Sequence, residues 1–217
     1  WLLILAGTVI WSLTMVKSGW AYKYGLGFWG ANGHDGIWHL ALIESLARGE
    51  WQMPIFAGVA IKNYHIGFDL LLAIVHRISG IPSSILYFQL TPPLLAFLVG
   101  YLTFKFVKEW TKSEASGLWA LFFVYFGGSL GWLVGHGEST FWSTQAISTL
   151  VNPPFAMSLV AILLGIICLQ KRKWWLAGII LGLTFQIKVY GGLLAWSGLL
   201  TAAIWTRQKD LWKTWVT

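Results

Sequence analysis

The sequence predicts an all-α, polytopic membrane protein with about six transmembrane helices and two juxtamembrane helices in its first outer loop. Hydrophobic residues fill 57% of the 217 positions and charged residues only 11%, whereas a soluble domain carries about 25% charged residues. Long apolar runs recur along the chain, with short groups of Lys and Arg beside them. Because these basic groups are scattered, the net charge of +7 indicates cytoplasmic loops rather than a nucleic-acid surface.

Six apolar stretches can be drawn as spans from their length and hydropathy. Residues 174–206 would form a helix about 50 Å long, well beyond a bilayer core of about 30 Å. We therefore predict two spans there, with a break at Lys188-Val-Tyr-Gly-Gly. Pro92 and Pro93 predict a kink in the second span. The predicted spans are 1–16, 84–107, 115–134, 153–169 and the two halves of 174–206.

Three basic groups predict which loops face the cytoplasm, because Lys and Arg are retained on that side. The N-terminus is then inside, 17–83 and 135–152 are outer loops, and 207–217 is a cytoplasmic tail. The groups are Lys105, Lys108 and Lys112; Lys171, Arg172 and Lys173; and Arg207, Lys209 and Lys213.

The first juxtamembrane helix is predicted over 36–48. At 100° per residue, Glu44, Ser45 and Arg48 fall on one side, with Glu44 and Arg48 spaced as an i,i+4 pair. The other side is apolar and includes His39, which predicts an amphipathic helix lying on the membrane surface.

The second juxtamembrane helix is predicted over 66–79. Its apolar part, 68–78, could be a further span, but it is short and carries charged residues, so it is placed in the outer loop. One face of this helix is predicted to carry His65, Asp69 and His76.

Asp35 stands immediately before the first of these helices and has two compatible interpretations. It could be an N-cap that satisfies free backbone N–H groups, or a carboxylate held at the membrane surface as a base or metal ligand. His34, Asp35, His39 and His65 could together be metal ligands, although no HExxH or CxxC spacing supports zinc.

Two further charged residues are candidates for function. Glu138 is the only acid of the loop 135–152, and it is either a solvated charge or a second carboxylate on the side of Asp35. Lys188 interrupts an apolar stretch, where an ionisable residue indicates function by default. The alternative is that its side chain reaches out to the interface.

Three stretches carry a resemblance to a known family. They are HDGIWHLALIESLARGEWQMP, NYHIGFDLLLAIVHRISGIP and NPPFAMSLVAILLGIICLQKRKWWLAGIILGLTFQIKVYGGLL. In layout and in these short motifs, nearly the whole chain resembles the membrane glycosyltransferases of the GT-C superfamily. It looks most like the branch of protein mannosyltransferases and lipid A aminoarabinose transferases. The resemblance implies a GT-C-like single membrane domain over 1–217, expected to be the N-terminal fragment of a longer transferase.

The resemblance also implies an activity. The family transfers a sugar from a polyprenyl-phosphate donor to an acceptor glycan, lipid or protein on the extracytoplasmic face of the cell membrane. Carried over, Asp35 matches the base, Glu138 the second-loop acid, and Lys188 the residue that contacts the donor phosphate. His39 and His65 are then expected to bind substrate, and a divalent metal, whose use stays open, would be held by Asp35 and Glu138.

Two departures and two rival functions qualify this expectation. Many family members have paired acids in the first loop, whereas here His34 precedes Asp35, and the family's C-terminal part is not in this chain. A transporter or flippase for lipid-linked sugars would place its charges near the bilayer midplane, whereas here the acids gather in the outer loops. A non-catalytic membrane protein would not need Asp35.

Overall fold

The computed structural model describes residues 1–28, 30–56, 58–128 and 145–217, and this part of the chain is mostly helical. A 3-10 turn (Gly30–Gly33) precedes the second helix, and a π-helical turn (Leu86–Leu90) joins the fourth helix to the fifth. The helices are α1 (Leu2–Leu13), α2 (Asp35–Ala47), α3 (Gly67–Ser79), α4 (Ser83–Ile85), α5 (Thr91–Thr111), α6 (Glu114–Phe126), α7 (Gln145–Leu150), α8 (Pro153–Gln170), α9 (Trp174–Ile187), α10 (Val189–Thr206) and α11 (Lys209–Val216).

The all-α prediction misses one feature, a small antiparallel hairpin in the predicted first outer loop. Strands β1 (Trp20–Tyr22) and β2 (Gly25–Gly27) pair across a two-residue turn. Gly25 has a φ of +118°, a conformation that a residue with a side chain rarely adopts. The glycine therefore permits the chain to reverse there, and hydropathy alone gives no sign of it.

Three helical segments of the described residues are long and apolar enough to cross a membrane: Ser83–Thr111, Pro153–Gln170 and Val189–Thr206. The other predicted spans correspond to the shorter helices α1, α6 and α9, which have 12, 13 and 14 residues. At 1.5 Å per residue they are about 18–21 Å long, against a bilayer core of about 30 Å. Three of the six predicted spans thus correspond to helices that are long and apolar enough to cross a membrane, and the end of the predicted span 115–134 lies outside the described residues.

The two breaks predicted in the apolar stretches take different forms. Lys188 separates α9 from α10 in an extended conformation, as predicted. Near Pro92 and Pro93 the helix continues, but the Thr91 N–H bonds to the Leu86 carbonyl, five residues back. Because proline has no N–H to donate, the backbone before the prolines can widen into a π turn without losing further bonds.

The helices α1, α5, α6, α8, α9 and α10 pack on one another as a bundle. Within it, Tyr125 of α6 contacts both α1 and α5. Its hydroxyl donates to the Ala96 carbonyl at 2.8 Å, and its own carbonyl accepts from the Trp11 indole at 3.1 Å. A Cβ at Gly7 of α1 or at Gly100 of α5 would overlap the Tyr125 side chain. The two glycines therefore let three helices approach closely around one aromatic ring, which fixes their relative positions.

The charged groups of the sequence separate to opposite ends of the bundle. At the C-terminal end of α5, Gln170 donates to the Phe106 carbonyl at 3.4 Å, and Lys171 lies 3.8 Å from Glu109. At the other end, α3 packs on the last residues of α9, where a Cβ at Gly67 would lie 2.8 Å from the Gln186 carbonyl oxygen. The basic groups thus lie at one end, and the juxtamembrane helices lie at the other.

The bounds of the two juxtamembrane helices agree with the prediction to within a residue, but the predicted polar face of α2 is partly wrong. Ser45 is buried, and Ser83 donates to Glu44 at 2.5 Å. Arg48 pairs with Glu50 at 3.3 Å instead of with Glu44. The reason is that α2 packs on protein, so α3 and α4 provide partners that a helix on a lipid surface would not have.

The arrangement predicts accessibility from opposite sides of the membrane. In a Cys168→Ala background, we expect a membrane-impermeant maleimide to label Ala60→Cys in intact cells, and Ala115→Cys only after permeabilisation. Both positions are exposed and both side chains are small, so the substitutions should not disturb packing. Labelling of Ala115→Cys in intact cells would reverse the predicted orientation.

Candidate functional site

A buried pair of side chains joins α2 to α3. The His39 Nδ1 atom lies 2.8 Å from Asp69 Oδ1, and the two side chains are 3% and 0% exposed. Burial raises the pKa of Asp69, whereas the hydrogen bond from His39 and the charge of Lys188 oppose this rise. Tyr87 stacks on the His39 ring with the centroids 5.6 Å apart, so the pair is also enclosed by the π-helical segment.

The sequence explains why both partners are buried. His39 lies on the apolar side of α2, as predicted, beside Leu42 and Ile43, which are fully buried. Asp69 lies in the first turn of α3, where the helix dipole favours an acid. Because the apolar faces of the two helices pack against each other, the carboxylate of Asp69 is enclosed beside the His39 ring, and the two pair.

His65 lies just before α3 and faces the same region. Its ring stacks on Tyr64 with the centroids 4.6 Å apart, and its Nε2 atom is buried without a hydrogen-bond partner among the described residues. Burial, followed by the charges of Lys188 and His39, lowers the pKa of His65 to about 4. The imidazole is therefore neutral at pH 7 and can donate or accept one hydrogen bond at a ring nitrogen.

Lys188 brings a cation to these residues from the junction of α9 and α10. Burial lowers the pKa of its amine, while the carboxylates of Asp35 and Asp69 raise it. The Nζ atom lies 5.2 Å from the centroid of the Tyr190 ring, within the range of a cation–π contact. Residues distant in sequence, on α2, α3 and the α9–α10 junction, thus meet at one end of the bundle.

Asp35 is the exposed acid of this group. It is the first residue of α2, and the N-cap position is held by His34 without a side-chain capping bond, so the prediction of an Asp35 N-cap is wrong. Its carboxylate, 43% exposed, lies 2.9 Å from the His34 Nδ1 atom instead. An exposed carboxylate that is not used for capping is free to accept a proton from a ligand.

Three buried polar atoms of the group have no hydrogen-bond partner among the described residues: His65 Nε2, Asp69 Oδ2 and the Tyr87 hydroxyl. Buried polar atoms are nearly always bonded in folded proteins, because an unpaired one costs about 1–3 kcal/mol. These three atoms are thus unpaired polar groups within the packing of the region, and each is enclosed rather than open to solvent.

The structure gives the metal hypothesis no support. In the part of the chain that it describes, no group of three or more His, Cys, Asp or Glu side chains is arranged to hold a metal ion. Glu138, predicted as the second carboxylate and as a metal ligand with Asp35, lies in 129–144, outside the described residues. Its role stays a prediction.

Four of the predicted site residues lie in this region: Asp35, His39, His65 and Lys188. The structure adds Asp69 and Tyr87, to which the sequence did not assign roles. The face predicted to unite His65, Asp69 and His76 does not act as a unit, because His76 bonds to the Ile81 carbonyl at 2.7 Å. One signal for Asp69 was present: an acid inside the apolar run Phe-Asp-Leu-Leu-Leu needs a buried partner.

Comparisons with known proteins provide no relative from which a role could be transferred. The chain matches no protein-family model, no curated protein and no solved structure at a significant level. A functional proposal therefore depends on the geometry of the site and on the resemblance of its motifs.

The lowered pKa of His65 predicts a pH dependence of stability. The unfolded imidazole has a pKa of about 6.5, so between pH 6.5 and 4 the unfolded chain binds more protons than the folded one. The melting temperature should therefore fall as the pH is lowered through this range, and His65→Gln should reduce that fall. His34→Gln, which removes a histidine whose side chain is 93% exposed, is the matched control. A His65→Gln variant with the wild-type slope would contradict the assignment.

Proposed function

We propose that this protein is a membrane glycosyltransferase, which moves a sugar from a polyprenyl-phosphate donor to an acceptor on the extracytoplasmic face of the cell membrane. The observation that carries the proposal is that Asp35, at the start of α2, and Lys188, at the α9–α10 junction, lie at the same end of the bundle, where α3 packs on both α2 and α9. Sugar transfer from a phosphate donor needs this combination, a base for the acceptor and a cation for the leaving group.

The reaction is a single displacement that inverts the anomeric carbon. Asp35 takes the proton of the acceptor hydroxyl while the acceptor oxygen forms a bond to that carbon. The bond between the anomeric carbon and the phosphate oxygen breaks, and the electron pair leaves with the phosphate. Lys188 stabilises the negative charge that develops there, in a partly buried site where the interaction is stronger than in water.

Asp35 suits the base better than the neighbouring acid Asp69. Asp69 is fully buried and bonded to His39, so an acceptor hydroxyl cannot reach it without breaking that pair. Asp35 is partly exposed, and its carboxylate lies 2.9 Å from the exposed ring of His34. The two carboxylates thus have different surroundings, and only one of them is open to a substrate.

The neutral imidazole of His65, a partly buried residue, supplies a hydrogen-bonding group near the proposed reacting atoms. A sugar ring carries several hydroxyls, each able to donate and accept, so neutral groups suit it better than further charges. His65 is therefore proposed to bind the sugar, and His39 to act beneath it by keeping Asp69 in place.

The lipid donor accounts for the position of the site. A polyprenyl phosphate keeps its chain in the bilayer and its phosphate at the surface, so the cation that holds it must lie at the end of the helices. Lys188 follows α9 and precedes α10, a helix long enough to cross the membrane. A transporter for lipid-linked sugars would be expected to place this charge near the midplane of broken helices.

The first functional prediction concerns the base. Asp35→Asn keeps the shape of the side chain and removes its basicity, so transfer should fall by about 10²-fold or more, with normal folding. Transfer is measured with radiolabelled polyprenyl-phosphate hexoses and pentoses on native membranes. His34→Gln is the control. It removes the hydrogen-bond partner of Asp35 but leaves the carboxylate, so it should retain much more transfer activity than Asp35→Asn. Wild-type transfer by Asp35→Asn would exclude Asp35 as the base.

The second functional prediction concerns the donor phosphate and uses sugar-free polyprenyl phosphate as the probe. A charge-assisted hydrogen bond from Lys188 would contribute about 1.5–3 kcal/mol, so Lys188→Met should weaken binding roughly 10–100-fold. Lys188→Arg should retain part of the affinity, since Arg also binds phosphate with a different geometry. Lys23→Met is the control, since Lys23 is an exposed lysine of the predicted first outer loop, outside the α9–α10 junction.

Equal dissociation constants for the wild type and Lys188→Met would remove Lys188 from the site. Two results together would favour a transporter of lipid-linked sugars. The first is phosphate binding that depends on Lys188, and the second is the absence of sugar transfer with any donor, by the wild type and by Asp35→Asn alike.

A further inference from the structure

The opposite end of the bundle carries a groove along α5 with a volume of about 450 Å³. Its lining residues recur every three or four positions, which places them on one face of the helix. They are Tyr101, Phe104, Lys105, Lys108, Glu109 and Lys112. The groove lies in the last turns of a helical segment long enough to cross a membrane, where lipid headgroups are expected.

The groove has an excess of positive charge. Lys108 pairs with Glu114 at 3.0 Å, and Glu109 pairs at 3.8 Å with Lys171, the residue that follows α8, so both nearby acids are already matched. Lys105 and Lys112 have no ion-pair partner among the residues that the structure describes. The Lys105 amine instead lies 5.7 Å from the centroid of the Tyr101 ring. Two cations are therefore free to bind an anion.

A second cavity of about 220 Å³ adjoins the groove and extends it into apolar surroundings. The two spaces share Tyr101, Phe104 and Lys108 in their walls. The second cavity is also lined by Ile4 of α1 and by Leu118 and Leu121 of α6. A ligand that fits both spaces has an anionic head at the lysines and an apolar part between α1, α5 and α6.

We propose that this composite site binds one anionic glycerophospholipid, with its phosphate between Lys105 and Lys112 and the upper part of an acyl chain against Leu118 and Leu121. The lysines lie at the end of a segment long enough to cross a membrane, where lipid phosphates are expected, and the apolar extension distinguishes a lipid from a free phosphate ion. This site lies at the end of the bundle away from Asp35 and Lys188, so it does not depend on the proposed transferase activity.

The test is native mass spectrometry of the delipidated protein in detergent, titrated with phosphatidylglycerol and, separately, with phosphatidylcholine. We expect one phosphatidylglycerol to be held by the wild type more tightly than phosphatidylcholine. The double variant Lys105→Gln/Lys112→Gln should weaken phosphatidylglycerol binding roughly 10–30-fold, because each lysine near an anionic headgroup contributes about 1 kcal/mol and about 1.4 kcal/mol is tenfold.

The matched control is the double variant Lys209→Gln/Lys213→Gln. It removes two lysines that lie at the same end of the bundle but outside the groove. Both are exposed residues of α11, and this variant should bind phosphatidylglycerol as the wild type does. Equal weakening by the two double variants would show general charge attraction and overturn the proposal. Equal binding of the two lipids by the wild type would also overturn it.

A further variant tests the apolar half of the site. Leu118 is 42% exposed, so Leu118→Trp should fold normally while filling the cavity. We expect it to weaken phosphatidylglycerol binding and to leave the melting temperature close to that of the wild type. Unchanged phosphatidylglycerol binding by Leu118→Trp, or displacement of the lipid by millimolar inorganic phosphate, would indicate an ion site without an acyl chain and would overturn the proposal.

Discussion

The buried contact between His39 and Asp69 is the interaction on which the candidate site depends. A carboxylate with no exposed surface is costly unless it is hydrogen-bonded, and His39 supplies the bond at 2.8 Å. Removing one partner of such a buried pair typically destabilises a protein by about 3–5 kcal/mol when both groups are charged. Because the partners lie on α2 and α3, the bond holds the helix that begins at Asp35 against the helix that contacts α9.

Burial gives the two acids of this region different chemistry. Asp69 is enclosed between helices, where its pKa is raised and its carboxylate serves the packing of α2 on α3. Asp35 is at the start of α2, where its carboxylate reaches solvent. The charges of both acids raise the pKa of the Lys188 amine, which is itself partly buried. Among the described residues, the amine makes no direct ion pair with either acid. A cation in this position is available to a third group, such as a phosphate.

The sequence predicts best those features that depend on neighbouring residues. The bounds of α2 and α3 follow from local apolar periodicity, and the break at Lys188 follows from one charge and two glycines in an apolar stretch. The first span was predicted too long, because hydropathy continues to Val16 while the helix ends at Leu13. Composition reports how apolar a segment is, but it does not report where its backbone leaves the helix.

Contacts between helices could not be predicted in the same way. A helical projection assigns Ser45 and Glu44 to water, because it has no information about the helix that will cover them. The pairing of His39 with Asp69 likewise depends on how α2 and α3 cross. The sequence of each helix by itself does not show which of its residues will face each other at that crossing. Glu138 lies outside the described residues, so its predicted meeting with Asp35 stays a prediction.

Close backbone packing on both sides determines the position of Lys188. On α9, Gly67 of α3 approaches the Gln186 carbonyl so closely that a Cβ would lie 2.8 Å from it. On α10, a Cβ at Gly191 would lie 2.7 Å from the Ser158 hydroxyl of α8. Lys188 itself is extended, and its N–H bonds to the Thr184 carbonyl at 2.8 Å while its carbonyl accepts from the Gly192 N–H at 3.0 Å.

The amine therefore stands on a backbone segment fixed by two helix ends, each held by a glycine contact to another helix. A functional group placed by regular elements keeps its position more accurately than one placed by a loop. This rigidity agrees with a role in holding a phosphate at a fixed distance from Asp35, whose own position is set by the packing of α2 on α3. The proposed base and the proposed phosphate-binding cation are thus positioned by different helices, and α3 connects them, because it bonds His39 through Asp69 and contacts α9 through Gly67.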